Sequence, residues 1–354
     1  MCRLKPIGVL AALLATAGVA AGAEIPVNPF VAEVNQLLRE YSGHVPGAAV
    51  LVIKDGVPVL RQGFGLAELE SGREVTPRTA FRLASVSKQF TATAILLLAQ
   101  DGIVSLDDSV RRWLPELPAA ADAIRIRHML SHTSGLLDYE DLMDPTDVRQ
   151  VHDADVLALL AHENRTLFVP GTDYRYSNSG YALLALVVER ASGLEYSEFL
   201  RQRIFSPLGM SAVAFRAGHN QVPDRAYGHS LIDGHWQRTD QSTTSAVLGD
   251  GGIYASIDDL ERWDAALYDD RLLRQPWREL ATSPATRTDE PHVPYYGFGW
   301  RLEGDLQWHS GESIGFRNVI LRWPSRRFTV IVLSNRDEPE PFVLAQRIAA
   351  DFAP

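Results

Sequence analysis

The chain is expected to form an α/β fold: an antiparallel sheet built from both chain ends and flanked by helices, with a mainly helical region inserted between them. Three observations predict it. Strand-like apolar runs frame a tight turn near the start. A second pair of such runs and a closing helix stand near the end. The middle is dominated by helix-period segments separated by Gly-, Pro- and Asp-rich connections.

In chain order, the first residues read Met1-Cys2-Arg3-Leu4-Lys5, then an apolar run from Pro6 to Ala20, then Ala21-Gly22-Ala23. A basic start, a short apolar core and an A-x-A site mark a signal peptide over residues 1–23, cut after Ala23, with a periplasmic or secreted product. The apolar run is too short to span a bilayer, so no stable membrane anchor is expected after cleavage. Cys2 is the one cysteine and precedes the apolar run, whereas a lipoprotein needs its cysteine after it. Cleavage would leave no cysteine, which excludes disulfides, thiolate metal sites and cysteine nucleophiles.

Beyond the leader, residues 24–80 and 246–354 are expected to form the sheet region and residues 81–245 the helical insert. Asn28 to Tyr41 has apolar residues at Phe30, Val31, Val34, Leu37 and Leu38, a helical period. Ala48–Ile53 and Val57–Phe64 flank Lys54-Asp55-Gly56, and Asp-Gly between apolar runs is a strong hairpin signal. Val86–Gln100, Ala154–His162, Tyr181–Ala191 and Ile257–Tyr268 read as helices, with Gly102 and Gly193 where C-caps belong. Gly315–Trp323 and Phe328–Leu333 read as strands joined by Pro324-Ser325-Arg326-Arg327, and Pro341–Phe352 as the closing helix. No internal repeat stands out.

An apolar fraction of 46% supports a substantial core, and the formal net charge is −10. Removing Arg3 and Lys5 with the leader brings it to about −12. No basic stripe appears, so neither nucleic acid nor an anionic membrane is expected as a partner. A small molecule or short peptide is. The sequence sets no oligomeric state.

Only three of the 34 basic residues are lysine: Lys5, Lys54 and Lys88. Lys5 falls in the leader and Lys54 in the hairpin turn. Lys88 stands three residues after Ser85, where an apolar helix begins. Arginine does not readily give up its proton, whereas a partly buried amine can, so lysine kept in an arginine-rich chain suits a titratable role. The free N–H groups at a helix start, at the positive end of its dipole, suit a developing oxyanion near Ser85. Taken alone, the same residues also read as a capping serine followed by an exposed lysine.

Two further elements carry chemistry. In Tyr176-Ser177-Asn178, a phenol that shuttles protons and an amide that holds a carbonyl stand two positions apart, on one side of an extended loop. The alternative is a turn with an N-cap. Trp308-His309-Ser310-Gly311-Glu312 precedes a strand; as a cleft-lining edge it offers a backbone N–H to an oxyanion, and otherwise it is a strand end with a glycine bulge.

Together these elements resemble the penicillin-recognising serine hydrolases, in the class C β-lactamase-like branch with its D,D-peptidases, D-aminopeptidases and esterases. Ser85-Val86-Ser87-Lys88, Tyr176-Ser177-Asn178 and His309-Ser310-Gly311 fit the three motifs in order. So do the stretches His128 to Gly135, Pro170 to Asn178, Ser206 to Met210, and Gly249 to Ile253 before Asp258-Asp259-Leu260. The resemblance implies a β-lactamase-like fold and a Ser85 acyl-enzyme. It implies general-base and general-acid duty shared by Lys88 and Tyr176, and Asn178 on the substrate carbonyl and Lys88. It also implies an oxyanion hole from the N–H groups of Ser85 and Glu312, with Ser310 and Gly311 in the substrate-binding strand. Many penicillin-binding members carry lysine where this chain has His309, which is cationic only at lower pH unless its pKa is raised. Esters, amides and other peptides therefore gain weight over β-lactams. Glu312 and Arg317 are expected to pair.

His128 and His132 have the i, i+4 spacing of a zinc pair, but no third ligand is evident; no metal or organic cofactor is expected. His219, His229 and His235 are read as surface residues. Gly251-Gly252 suits a close backbone approach near the cleft. The expected activity is that of an exported serine hydrolase acting on an ester or amide, such as a peptidoglycan-related peptide or D-amino-acid compound. A true β-lactamase and a slowly acylating penicillin receptor are the alternatives.

Overall fold

The computed structural model describes Met1, residues 29–216 and residues 219–350. The leader and its cut after Ala23 lie, Met1 aside, outside the described residues. The main sheet has eight strands in the order Thr286–Arg287, Tyr295–Tyr296, Arg301–Glu303, Leu306–Ser313, Phe316–Trp323, Phe328–Ser334, Ala48–Lys54, Val57–Phe64. Every pairing is antiparallel, and the two chain ends meet where Ala48–Lys54 pairs with Phe328–Ser334. The first hairpin turns on Asp55 and Gly56, with φ of 54° and 77°. Positive φ at both central residues is what a tight hairpin needs to match the strand twist.

Central strands are buried on both faces, which is why they read as unbroken apolar runs. Ala49, Leu51, Ile53, Ile331 and Leu333 face the inserted region and join its core. Val50, Val52, Val330 and Val332 face the other way, against Val34 of the helix Pro29–Leu37, Leu38 just after it, and Ala345 and Ile348 of the helix Pro341–Ala350. Each fully buried Val or Ile of this sheet contributes roughly 1.5–3 kcal/mol of transfer free energy.

The inserted region is organised around the helix Lys88–Gln100, buried from Lys88 to Ala99. A helix apolar all round belongs at the centre of a domain. Beside it packs Asn178–Ser192, where the Ser177 hydroxyl accepts the Gly180 N–H at 3.2 Å and Gly193 ends the helix at φ 74°. The segment expected as helix from Val86 instead opens with a 3-10 turn, Ala84–Ser87, and becomes α-helical only at Lys88. Ala84 is held at φ 48°. This left-handed conformation is strained for a non-glycine residue and persists only where its surroundings impose it. Here the Leu83 N–H is tied to the Ile253 carbonyl on one side, and Gly311 abuts Leu83 on the other.

One surface expectation is corrected. His229 is 1% exposed, in the strand His229–Ile232, where backbone pairing with Asn335 draws it inward; His219 and His235 are exposed as expected. No helix among the described residues is long and apolar enough to cross a membrane.

Candidate active site

Ser85 lies on the 3-10 turn at the mouth of a cleft of about 200 Å³, lined by Glu140, Asn178, Asp250 and Glu312 among others. Lys88, one turn further on, is fully buried. Its Nζ is 3.0 Å from Ser85 Oγ, 2.9 Å from Asn178 Oδ1 and 2.9 Å from the Asp250 carbonyl. Both carbonyl oxygens can only accept, so they engage two N–H bonds of the amine. The third direction points at Ser85. A neutral amine presents its lone pair there to take the serine proton; an ammonium presents a third N–H.

Aromatic rings form the back of the site. Lys88 Nζ is 4.9 Å from the ring centroid of Tyr176 and 5.5 Å from that of Tyr181. The Tyr176 hydroxyl is buried and has no hydrogen-bond partner among the described residues. Such a group is costly to leave unpaired and is commonly satisfied by a ligand or water. Asn178 is the first residue of its helix, so its side chain is carried on a rigid element; its Nδ2 lies 3.4 Å from Glu140 Oε1.

The strand Leu306–Ser313 forms the opposite wall. A Cβ on Gly311 would come within 2.0 Å of the Leu83 carbonyl oxygen and 3.3 Å of the Ser85 nitrogen. Glycine is what lets this strand reach the turn that carries Ser85. Gly251 makes a looser approach on the other side, where a Cβ would sit 3.4 Å from Ala84. Glu312 lines the cleft but turns its carboxylate outward to Arg317 at 2.7 Å. Ser310 Oγ accepts from Arg301 Nη1 at 3.3 Å.

His309 does not offer the cleft a cation. Its ring is fully buried, with Nδ1 2.6 Å from the Ser310 carbonyl and Nε2 3.0 Å from the Tyr296 hydroxyl. The carbonyl requires a proton on Nδ1, so Nε2 accepts from Tyr296. Burial foremost, then the neighbouring Arg301, holds the imidazole well below its usual range. The permanent charge on this wall is Arg301, paired to Glu290 at 2.9 Å with its guanidinium 5.4 Å from the Tyr176 ring centroid.

Several of these neighbours carried no usable signal in the sequence. Arg301 reaches the site because its strand pairs Arg301 with Trp308, a register no local pattern reveals. Asp250 holds Lys88 through a backbone carbonyl, for which side-chain identity gives no clue. Its carboxyl accepts from Tyr139 at 3.1 Å, and burial pushes it up to about 7. The two histidines at zinc-pair spacing serve the backbone through Nδ1: His128 Nδ1 accepts the Arg125 N–H at 3.2 Å and His132 Nδ1 the Ser177 N–H at 3.1 Å.

Comparison with known proteins bears on the whole chain. A family model described as Beta-lactamase matches residues 34–353. Over 329 residues the chain is 34% identical to Penicillin-binding protein 4* of Bacillus subtilis (strain 168), covering 87% of this chain and 72% of that protein. Over 337 residues it is 31% identical to the D-aminopeptidase of Gluconobacter oxydans (strain 621H), covering 90% of this chain but only 61% of that one. The octameric penicillin-binding protein homologue from Pyrococcus abyssi shares the fold with a TM-score of 0.80 at 25% identity, over 92% of this chain and 77% of its own. With a family match over nearly all described residues and the same sheet-and-helix architecture, the chain belongs to the Beta-lactamase family and is a serine hydrolase of the β-lactamase-related type.

Proposed function

We propose that the chain hydrolyses an amide or ester through a Ser85 acyl-enzyme, and that its substrate carries a free ammonium beside the scissile carbonyl, as in a D-amino-acid amide or a short peptide with a free N-terminus. The observation that carries the reaction is the Lys88 amine, with two positions engaged by fixed carbonyls and the third aimed at Ser85 Oγ. Ser85 Oγ bonds to the substrate carbonyl carbon as its proton passes to Lys88 Nζ. The backbone N–H groups of Ser85 and Glu312 take the oxyanion, and Asn178 Nδ2 steadies the acyl carbonyl. Tyr176 relays the proton to the departing amine or alcohol, and a water then releases the acid and restores Ser85.

The substrate reading rests on charge. Glu140 lines the cleft beside Asn178, and the cleft's own arginine, Arg82, is 4% exposed and donates to the Ser245 carbonyl. No free cation stands at position 309, where a carboxylate-binding relative would carry one. The similarity to a D-aminopeptidase supports the same reading. The basic-apolar-small pattern of residues 1–23 supports export, with the mature chain starting at Glu24.

The test compares D-alanine p-nitroanilide, its N-acetyl derivative and benzylpenicillin, with Ser85→Ala as the control and protein mass followed in parallel. A site built for an ammonium should prefer the free amine by at least about tenfold in kcat/KM, with all turnover lost in Ser85→Ala. Equal rates for both anilides would overturn the ammonium reading. A stalled penicillin adduct without anilide turnover would favour the slowly acylating receptor, which the 34% identity to a penicillin-binding protein keeps in view.

A further inference from the structure

We infer that His132 is a positioning residue for the reaction, the clamp that sets Tyr176 against Lys88; this rests on the role given to Tyr176 above. His132 holds three consecutive residues of the segment that carries the second motif. Its carbonyl accepts the Arg175 N–H at 2.9 Å. Its ring stacks on Tyr176 with centroids 4.2 Å apart and planes inclined by 33°. Its Nδ1 accepts the Ser177 N–H at 3.1 Å. Tyr176 is thus held at its ring and by the backbone on both sides, from one residue distant in sequence.

The clamp works only as a neutral imidazole. A backbone N–H can only donate, so Nδ1 must be bare and the proton must sit on Nε2. That nitrogen is buried without a hydrogen-bond partner among the described residues, and the imidazole is flanked by the rings of Tyr181 and Tyr296, with centroids 5.1 and 4.6 Å from its own and planes inclined by 41° and 61°. N–H groups against aromatic faces are weakly favourable, so the pocket tolerates this tautomer. His132 is also fully buried and held at φ 59°, in the left-handed region that few non-glycine residues adopt, histidine more readily than most. A residue needed only for volume would not require a left-handed backbone, an acceptor nitrogen and a flat ring at once. What the clamp secures is a hydroxyl with no other tether: the Tyr176 oxygen has no partner among the described residues, so its direction is set entirely through its ring and backbone.

The experiment is a double-mutant cycle on the full chain. His132→Phe keeps the stacking ring and loses the acceptor. His132→Asn loses the ring but keeps a carbonyl acceptor and tolerates positive φ. Each is made alone and with Tyr176→Phe, and kcat and KM are measured on the anilide with melting temperature as the fold control. A misplacement of about 1 Å costs a reacting group about 10²-fold, so each single variant should lose tenfold or more in kcat with KM nearly unchanged. In the Tyr176→Phe background, neither should lower kcat further, because the group being positioned is gone. Should one variant fail to fold, the other completes the cycle. Fully additive losses in an otherwise impaired Tyr176→Phe background overturn the clamp and leave the proposed function intact. Full activity of Tyr176→Phe itself overturns the role of Tyr176, and the clamp with it.

Discussion

The two walls of the cleft solve the placement of charge in opposite ways. On the helical wall, Lys88 is a buried lysine whose amine is surrounded by acceptors, two of them carbonyls on separate segments and the third the Ser85 hydroxyl. On the sheet wall, His309 is equally buried, but its ring nitrogens are spent on Ser310 and Tyr296 and its neighbours include a permanent cation. One wall places a buried amine within hydrogen-bond reach of Ser85; the other buries an imidazole that its burial and Arg301 hold well below its usual range, and leaves charge to Arg301. Burial alone therefore does not decide what an ionisable residue does. The number and kind of partners at the buried atom decide it.

The comparison breaks most sharply at Lys88. Lys88→Arg keeps the positive charge but not the amine, and should lower kcat by about 10³-fold or more, as loss of a catalytic unit does. Near-normal turnover in the arginine variant would show that charge, not proton transfer, is what the helical wall supplies. At the matching place on the sheet wall, His309→Lys puts an ammonium in a fully buried site beside Arg301. It should cost on the order of 3 kcal/mol, read as a lower urea midpoint. Unchanged stability would mean the lysine reaches the cleft, and a gain of carboxylate-bearing substrates would accompany it.

A smaller effect concerns the loop that carries Asp250. The buried Asp153 carboxylate accepts the N–H groups of Leu248 and Gly249, at 3.0 Å each for the shorter contacts, and burial pushes its carboxyl up to about 6. The folded chain thus retains protons on Asp153 up to about pH 6 and on Asp250 up to about 7, whereas the unfolded chain loses them near its ordinary value of 3.8. Between those limits the native state binds more protons at these two groups, so their contribution to stability falls as pH rises from about 4 to 7, opposite in sign to that of the buried His132 and His309, which burial holds below their usual range. In urea titrations across that range, the stability difference between the natural chain and Asp153→Asn should fall as pH rises between about 4 and 6; a pH-independent difference would remove Asp153 from this role. The least effect is expected at the rim. Glu312 is 69% exposed in its pair with Arg317, so Glu312→Gln should change stability by less than about 1 kcal/mol. A larger loss would show that the pair holds the cleft strand in place.

Much of this organisation was legible in the residues themselves. Asp55-Gly56 between apolar runs specified the hairpin because few turns match strand twist, and Gly193 marked a helix end because a left-handed cap disfavours a Cβ. Ser85, Lys88, Tyr176 and Asn178 could be proposed together because Ser-x-x-Lys and Tyr-x-Asn resemble the family's motifs in their expected order. The rest depended on approaches between distant segments. Ser85 sits on a 3-10 turn because Ile253 and Gly311 hold the chain on either side of Ala84, and His229 is inside because Asn335 pairs with it. His132 stood at metal-pair spacing from His128 with no third ligand in sight, and its actual partners appeared only when the fold laid residues 175–177 across it. His309 is held below its usual range by its burial first and then by Arg301, contributed by the neighbouring strand. Sequence by itself determined which groups are present and the local turns that bear them, since those depend on side-chain chemistry and backbone preference within a few residues. Only the tertiary structure decided which of those groups are buried, partnered and neutral, because desolvation and hydrogen bonding are properties of the surroundings that segments far apart in the chain create together.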